Sequence, residues 1–200
     1  MPKDTFHNLK EEKKQRILAA AIEEFSRRRF SDASINQIVK NAGISRGSFY
    51  QYFTGKEDLY LYMINEIGKE KMRVLDGAGA WNLDADFFTA YMYMYHVALR
   101  WVKEKPQYNR IFMLMEFDDC EFIGKLRELS VEGLALLRRL LERDQQRGLV
   151  RPDVDPGFVI EIVYQLMLYV IKEYYQKGSE ELMLAKVENI FKIIKEGIGN

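Results

Sequence analysis

The chain of 200 residues contains only one cysteine, two histidines and four prolines. A single cysteine cannot form an intrachain disulfide, and Cys120 with His7 and His96 is too small a set for a Cys/His zinc cage. Residues 1–10 lack the apolar core of a signal peptide, and nowhere does an uncharged apolar run reach the length of a membrane span. We therefore predict a cytoplasmic protein without a membrane segment or a metal site.

Motifs that carry catalytic chemistry are also missing from the sequence. It has no nucleophile elbow, no phosphate-binding loop, no paired metal ligands and no glycine-rich dinucleotide turn. Alternating runs of β-branched residues bounded by turn dipeptides are absent too, and helical periodicity dominates instead. These absences predict an all-α protein that is not an enzyme and needs no cofactor.

The net charge of zero hides an uneven distribution along the chain. Residues 1–56 contain eleven Lys or Arg and six Asp or Glu, whereas residues 57–200 contain nineteen and twenty-four. The first segment therefore has a net charge of +5 and the second a net charge of −5. A basic end on an acidic body indicates that this end faces a polyanion.

The apolar periodicity and the capping residues predict about nine helices. Three helix starts show a capping-box pattern, in which a polar residue precedes a Glu or Gln by three positions. These pairs are Asn8 with Glu11, Ser34 with Gln37, and Thr54 with Glu57. Gly43 is predicted to close the second helix, and Ser45 to cap a third helix over residues 46–53.

The remaining helices are predicted over residues 87–103, 107–117, 121–147 and 156–177, with a ninth capped by Ser179. The eighth helix, which starts at Asp155-Pro156, is apolar on nearly every face. A helix of this kind must be buried on two sides, and a second copy of the chain can cover one of them. We therefore predict a homodimer formed through the eighth and ninth helices.

This pattern divides the chain into an N-terminal three-helix DNA-binding domain of the helix-turn-helix type, residues 1–56, and a C-terminal helical bundle, residues 57–200. The fourth helix, about residues 56–76, connects them. Two short helices joined at a glycine, the second beginning at a capping serine, are typical of a unit that places its second helix in the major groove of DNA.

Several residues of this unit oppose the local preferences of a helix. Arg46 and Lys56 lie in first turns, where the helix dipole disfavours cations unless an anion such as a phosphate binds between them. Gly47 weakens its helix but lets a backbone approach closely. Tyr50 and Tyr52 can donate hydrogen bonds to phosphates, although either can equally be a packing residue, and Tyr50 is the stronger candidate.

The same segment resembles the tetracycline-repressor (TetR) family, without a gap from Ile17 to Leu59. The residues that carry the resemblance are Ser34-Ile35, Ile38-Val39, Ala42-Gly43-Ile44-Ser45, Gly47, Phe49-Tyr50, Tyr52-Phe53, Lys56-Glu57 and Leu59. Several independent positions agree at fixed spacing, which is far more specific than a single motif. One departure is Arg29, because members of the family usually have a glycine there, and a left-handed arginine is strained by about 1 kcal/mol or more.

The resemblance implies that the third helix enters the major groove and that Ser34, Tyr50 and Lys56 contact phosphates. Base reading then falls to residues on the outer faces of the two short helices, namely Asn36, Arg46, Ser48 and Gln51. Arg46 can bind guanine, and Asn36 or Gln51 can pair with adenine. Ser45, Gly47 and Tyr52 complete the predicted DNA-binding surface.

The C-terminal helices are rich in tyrosine and methionine, which suit either a packed core or an adaptable apolar pocket. The resemblance implies a small effector in this region. We predict that a lipophilic or aromatic compound contacts Tyr91, Tyr95, Trp101, Phe112, Met115 and Tyr164. The expected protein is a repressor that the effector releases from a palindromic double-stranded operator; the alternative is a DNA-binding protein that organises the chromosome without an inducer.

Overall fold

The computed structural model describes residues 1–79, 84–132 and 134–199, with the backbone alone for residues 129–132, 175–177 and 180. The regular structure of this part is helical, as predicted, apart from one isolated bridge between Val150 and Gly199. Its eleven helices are α1 Asp4–His7, α2 Glu11–Arg27, α3 Ile35–Ala42, α4 Arg46–Tyr52, α5 Lys56–Gly77, α6 Phe87–Glu104, α7 Pro106–Glu116, α8 Glu121–Glu132, α9 Ala135–Gln146, α10 Pro156–Lys177 and α11 Glu180–Ile198.

The described chain forms two compact units, and the first of them is discontinuous in sequence. Unit 1 comprises residues 1–78 and 97–127, and unit 2 comprises residues 79–96 and 128–200. Helices α1 to α5 and α7 therefore belong to unit 1, and α9 to α11 to unit 2. This grouping reflects packing, and the functional boundary between residues 56 and 57 stays a prediction.

The core of unit 1 is built around α2, whose apolar residues recur at helical spacing. Ile17, Ala21 and Phe25 are buried on one face, which packs against α3, α5 and α7. Helix α7 contributes Ile111 and Met115 to the same core. Because α7 follows α3 by about seventy residues in the chain, this core joins sequence-distant segments.

Aromatic rings fasten the end of α2 to α5 and α8. The ring of Phe25 lies edge-on to Tyr60 with centroids 4.8 Å apart, and that of Phe30 lies 4.6 Å from Phe122. Such pairs add about 0.5–1.5 kcal/mol to the free energy of apolar burial. The segment between α2 and α3 is therefore held in place by contacts with both α5 and α8.

The three predicted capping boxes do not form. Asn8 ends α1 rather than starting α2, whose N-cap is Lys10. The Ser34 side chain makes no cap hydrogen bond; its backbone N–H donates instead to the buried carboxylate of Glu24. Thr54 donates to Asp58, and α5 begins after Gly55. In each case a competing local or tertiary partner takes the place of the expected one.

The structure settles the backbone conformation at Arg29, and it shows that the prediction of one long seventh helix was wrong. Arg29 is not left-handed, because every residue with positive φ in the described chain is a glycine; α2 instead ends in extended conformation at Arg28. The predicted seventh helix over residues 121–147 is divided into α8 and α9, and α9 starts after Leu134. The division adjoins Gly133, a residue type of low helix propensity that lies outside the described residues.

Unit 2 contains a buried carboxylate that fastens the start of α6 to α9. Asp144 is 1% exposed, and it accepts a hydrogen bond from the backbone N–H of Phe87. Arg143 and Arg147 lie 2.8 and 3.4 Å from the same carboxylate, so its charge is compensated. A buried charge without such partners would be strongly destabilising.

Helices α10 and α11 pack together through one face of each. Asp155 caps α10 and Ser179 caps α11, as predicted. Their buried residues include Val163, Met167 and Val187. The outer surfaces of the two helices carry several large exposed apolar residues, which are Phe158, Ile162, Tyr169, Leu182 and Ile193.

Within the part of the chain that the structure describes, no helix combines the length and the apolar character that crossing a bilayer requires.

Candidate nucleic-acid interface

Helices α3 and α4 form the predicted helix-turn-helix, and Gly43 makes the turn between them. Its φ of 64° lies in the left-handed region, which glycine adopts without a steric penalty. The N–H of Gly43 donates to the carbonyl of Lys40, and that of Ile44 to Val39. These bonds satisfy carbonyls at the end of α3 and fix where α4 begins.

Ser45 caps α4 as predicted. Its hydroxyl accepts a hydrogen bond from the backbone N–H of Ser48 at 3.0 Å and lies 2.9 Å from the Ser48 hydroxyl. The inner face of α4 is formed by Phe49 and Tyr52, both buried, with Phe53 directly after the helix. A cap of this kind is worth about 1 kcal/mol and fixes where α4 begins. The buried aromatic residues fix which face of α4 points inward.

The outer faces of α3 and α4 carry most of the predicted DNA-contacting residues. The exposed members of the set are Asn36, Ser45, Arg46, Gly47, Tyr50 and Gln51. Ser34, Ser48 and Lys56 are half-buried. Tyr52 differs from them because it belongs to the inner face. The structure therefore brings nine of the ten side chains or backbone positions to accessible places, and their contacts with DNA stay predictions.

Arg46, Asn36 and Tyr50 form a connected group on this surface. The Nη1 atom of Arg46 donates to Oδ1 of Asn36 at 3.0 Å, which joins the two helices. The Arg46 guanidinium also lies 5.9 Å from the centre of the Tyr50 ring. A guanidinium has five N–H donors, so Arg46 retains donors for a base edge while Asn36 and Tyr50 restrict its orientation.

Lys56 already makes intramolecular hydrogen bonds. Its ammonium group donates to the carbonyls of Ser31 and Ala33, each at 3.1 Å, and lies 4.6 Å from the Phe30 ring. An ammonium has three N–H donors, which leaves one for a phosphate. Lys56 therefore also stabilises the connection between α2 and α3, a role that its position in the sequence did not indicate.

Lys13 also belongs to this region, although no sequence motif indicated it. Its ammonium group donates to the Tyr52 hydroxyl at 2.9 Å. The contact places a cation beside the one polar atom of an otherwise buried ring. Lys13 precedes the turn by thirty residues, and its own stretch of mixed charges resembles an ordinary solvated helix face, so no local signal distinguished it.

A buried carboxylate ties the connection before α3 to the start of α8. Asp118 is 1% exposed and accepts hydrogen bonds from the backbone N–H groups of Ser31 and Cys120. Burial opposes ionisation, but these bonds outweigh it and hold the pKa of Asp118 below its usual value. For Cys120 itself, burial and the nearby Asp118 raise the pKa of the thiol, which disfavours the reactive thiolate.

The predicted effector-contacting residues fall into both units. In unit 1, Trp101 and Met115 are buried, and Phe112 packs against the core. In unit 2, the Tyr91 ring packs against Phe191 in a tilted arrangement, with ring centroids 4.7 Å apart. The others in unit 2, Tyr95 and Tyr164, are half-buried. All six stay predictions.

The side chain of Trp101 has a polar partner that its sequence context did not reveal. Its indole N–H donates to Glu70 on α5 at 3.2 Å, and the Tyr108 hydroxyl donates to the same carboxylate at 3.1 Å. Burial opposes the ionisation of Glu70, but these bonds and the charge of Lys105 prevail and lower its pKa. The group joins α5 to the end of α6 and the start of α7.

Helix α5 also borders an open groove of about 630 Å³. Its lining includes Ile64, Gly68 and Met72 together with the polar Asn65, Lys69, Arg73 and Asp76. None of the six predicted effector-contacting residues belongs to this lining.

Comparison with known proteins gives concordant matches to one class of regulator. Residues 17–63 match the family described as bacterial regulatory proteins, tetR family. The chain is 26% identical over 204 residues to the HTH-type transcriptional regulator RutR of Escherichia coli O157:H7, which covers 93% of this chain and 90% of that protein. These relatives are transcriptional regulators, in agreement with the prediction that the chain is not an enzyme.

Solved structures extend this similarity to the whole fold. A TetR family transcriptional regulator from Chloroflexus aurantiacus J-10-FL is 28% identical, with a TM-score of 0.71 and coverage of 100% of this chain and 99% of that one. The transcriptional regulator FadR from Bacillus subtilis, solved in complex with stearoyl-CoA, shares the fold with a TM-score of 0.74 at 17% identity, covering 92% of this chain and 98% of that one.

Proposed function

Because the chain belongs to the tetR family of bacterial regulatory proteins, we propose that it is a homodimeric repressor that reads a palindromic DNA operator with α4 and is released by a small apolar effector. One observation carries the DNA-reading part of this proposal. Arg46 begins an exposed helix face, and Asn36 on the preceding helix orients it from 3.0 Å. An arginine held in this way can form the bidentate contact with guanine O6 and N7.

The contacts around this helix divide into base reading and phosphate binding. We assign base reading to Asn36, Arg46, Ser48 and Gln51, and phosphate binding to Ser34, Tyr50 and Lys56. We also assign close approach of the DNA backbone to Ser45 and Gly47, which are exposed at the start of α4, and a phosphate contact to the Tyr52 hydroxyl, which accepts a hydrogen bond from Lys13. Phosphate contacts fix the register of the protein, whereas base contacts supply sequence preference.

The proposed dimer forms through α10 and α11. Phe158, Ile162 and Tyr169 lie close to one stripe of α10, since they are separated by four and seven residues, and each is exposed. Ile193 on α11 is 69% exposed. A two-fold dimer matches the symmetry of a palindromic operator, whose half-sites lie about one helical turn, about 34 Å, apart.

The proposed effector is lipophilic or aromatic. The side chains assigned to it combine apolar bodies with hydroxyl groups, namely Tyr91, Tyr95, Trp101, Phe112, Met115 and Tyr164. Binding of stearoyl-CoA by FadR, a protein of the same fold, supports an apolar ligand class. Effector binding favours a conformer in which α5 changes the separation of the two α4 helices, to the extent that the two conformers differ in effector affinity.

Genomic footprinting of the wild-type protein and the Arg46→Ala variant in bacterial cells tests the regulator. The expected result is a small number of palindromic sites that the variant no longer occupies, together with release by an apolar compound. An anilinonaphthalene dye and a fluorescent fatty acid are suitable first probes in vitro. Occupancy of very many unrelated sites, unaffected by either probe, would support the chromosome-organising alternative, and absence of DNA binding would refute both.

A further inference from the structure

The carboxyl end of α4 is held by residues from the beginning of the chain. An α-helix leaves its last carbonyl groups without partners inside the helix. In α4 three consecutive carbonyls receive hydrogen bonds from residues 3 and 5. The backbone N–H of Lys3 donates to Tyr52 at 2.9 Å, the Lys3 ammonium group donates to Tyr50 at 2.8 Å, and the Thr5 hydroxyl donates to Gln51.

The same segment is anchored in the core by an aromatic side chain. Phe6 is 1% exposed. Its ring lies 4.9 Å from the rings of both Phe53 and Tyr62, measured between centroids. Residues 3–6, which we call the N-terminal brace, therefore have a fixed position beside the end of α4. The Lys3 charge at this end also matches the negative pole of the helix dipole.

Helix α4 depends on such external support because it contains only seven residues. Isolated helices shorter than about 12 residues are marginal in water. Ser45 supports one end of α4 and the buried Phe49 its inner face. Without the brace, the carbonyls of Tyr50, Gln51 and Tyr52 would depend on water, and the second turn would be free to fray.

We infer that the N-terminal brace is a positioning element of the DNA-reading surface, which sets the orientation and order of α4 without touching bases. This inference rests on the proposed function of α4. Tyr50 and Gln51 are exposed on the outer face of α4, and their carbonyls accept hydrogen bonds from the brace. Disorder at this end therefore displaces two predicted DNA contacts together.

The test uses the full-length protein and a duplex of about 30 base pairs that the wild type enriches from a randomised library. A scrambled duplex of equal composition measures non-specific binding. The variants are Lys3→Met and Thr5→Val, with Thr5→Ser as the conservative replacement that keeps the hydroxyl. Lys10→Met is the matched control, because Lys10 is exposed and no side-chain partner is found for it among the described residues.

We expect Lys3→Met and Thr5→Val each to reduce the affinity for the enriched duplex relative to the scrambled one by about fivefold, the equivalent of one lost hydrogen bond. Amide hydrogen exchange over residues 46–53 of the free protein should become faster in these two variants. The Thr5→Ser variant should keep the affinity ratio and the exchange rates of the wild type. Lys10→Met should leave the affinity ratio and the exchange rates unchanged.

Two outcomes would overturn the inference. The first is an equal loss on both duplexes with a flatter salt dependence for Lys3→Met, which would identify Lys3 as a phosphate contact. The second is an unchanged affinity ratio with unchanged exchange in α4. If the wild-type protein enriches no duplex, the proposed function fails, whereas exchange in the free protein still shows whether the brace orders α4.

Discussion

The two helix pairs α3–α4 and α10–α11 both expose one face, but the chemistry of the two faces is opposite. On α4 the exposed residues are polar, and Arg46 is already hydrogen-bonded to Asn36. On α10 they include Phe158, Ile162 and Tyr169, which gain little from contact with water. The first face suits a hydrated polyanion, and the second suits another apolar surface.

The pairs also differ in how each helix is stabilised. Helix α4, with seven residues, depends on its cap, its buried aromatics and its partners at both ends. Helices α10 and α11, with 22 and 19 residues, are long enough to pack along a continuous stripe. A short helix held at its ends can present side chains in fixed positions, whereas a long apolar face provides the area that stable association requires.

The largest expected effect comes from placing a charge on the apolar face. Ile193→Glu should dissociate the proposed dimer and weaken binding to a palindromic duplex by about 100-fold, because the two half-sites then bind independently. Sedimentation velocity and fluorescence anisotropy measure the two effects. Leu149→Glu is the control, since Leu149 is exposed but lies outside α10 and α11. A dimeric Ile193→Glu protein would place the interface elsewhere.

The next effect concerns the polar face. Arg46→Ala should remove about 1–3 kcal/mol of discrimination at one base pair, because the bidentate contact with guanine is lost. Asn36→Ala should reduce the preference at the same base pair, since Asn36 orients Arg46, and also at a second base pair that Asn36 itself reads. Binding to duplexes with every base substituted in turn measures both. A loss confined to the base pair that Arg46 reads would show that Asn36 orients Arg46 and reads no base of its own.

Replacing Lys56 separates its two roles. Lys56→Ala should weaken binding to all sequences and reduce the slope of affinity against salt by about 1, as expected for a phosphate contact. It should also destabilise the protein by about 1 kcal/mol, because the carbonyls of Ser31 and Ala33 lose a donor. Urea denaturation measures the structural role of Lys56, and DNA binding at several salt concentrations measures its phosphate contact. A loss of stability with an unchanged salt slope would show that Lys56 has only the structural role.

The smallest expected effect on stability is at Gly47. Here the stability of the protein and its affinity for DNA should change in opposite directions. An added Cβ would have only the Ser45 side chain nearby, at 3.8 Å, so alanine fits the free protein. Gly47→Ala should raise stability by about 0.5–1 kcal/mol through helix propensity, yet weaken DNA binding if a backbone approaches there. Binding equal to the wild type would contradict the close approach.

Local signals in the sequence predicted the elements that depend on neighbouring residues. The turn at Gly43, the cap at Ser45 and the start of α10 at Asp155 each need only residues within a few positions. The capping box expected for Thr54 failed because Asp58 offers a second carboxylate one position later. Composition cannot decide between two such acceptors, whereas packing of the following helix can.

Contacts between distant segments were beyond the reach of the sequence. The pairing of Arg46 with Asn36 crosses a turn whose geometry must be known first, and the bond from Trp101 to Glu70 joins residues 31 positions apart. Lys56 was predicted as a cation near DNA from its place in a first turn, but its two carbonyl partners follow only from the path of the connection before α3.

The discontinuous composition of unit 1 has a consequence for biosynthesis. Ile111 and Met115 on α7 complete the core around α2, so this core is finished only after residues beyond 115 have left the ribosome. A nascent chain that stops at residue 78 should remain open to proteases, and a graft of residues 1–56 onto another protein should need a replacement for α7. The helices that precede residue 78 thus share a core with a segment that the ribosome makes later.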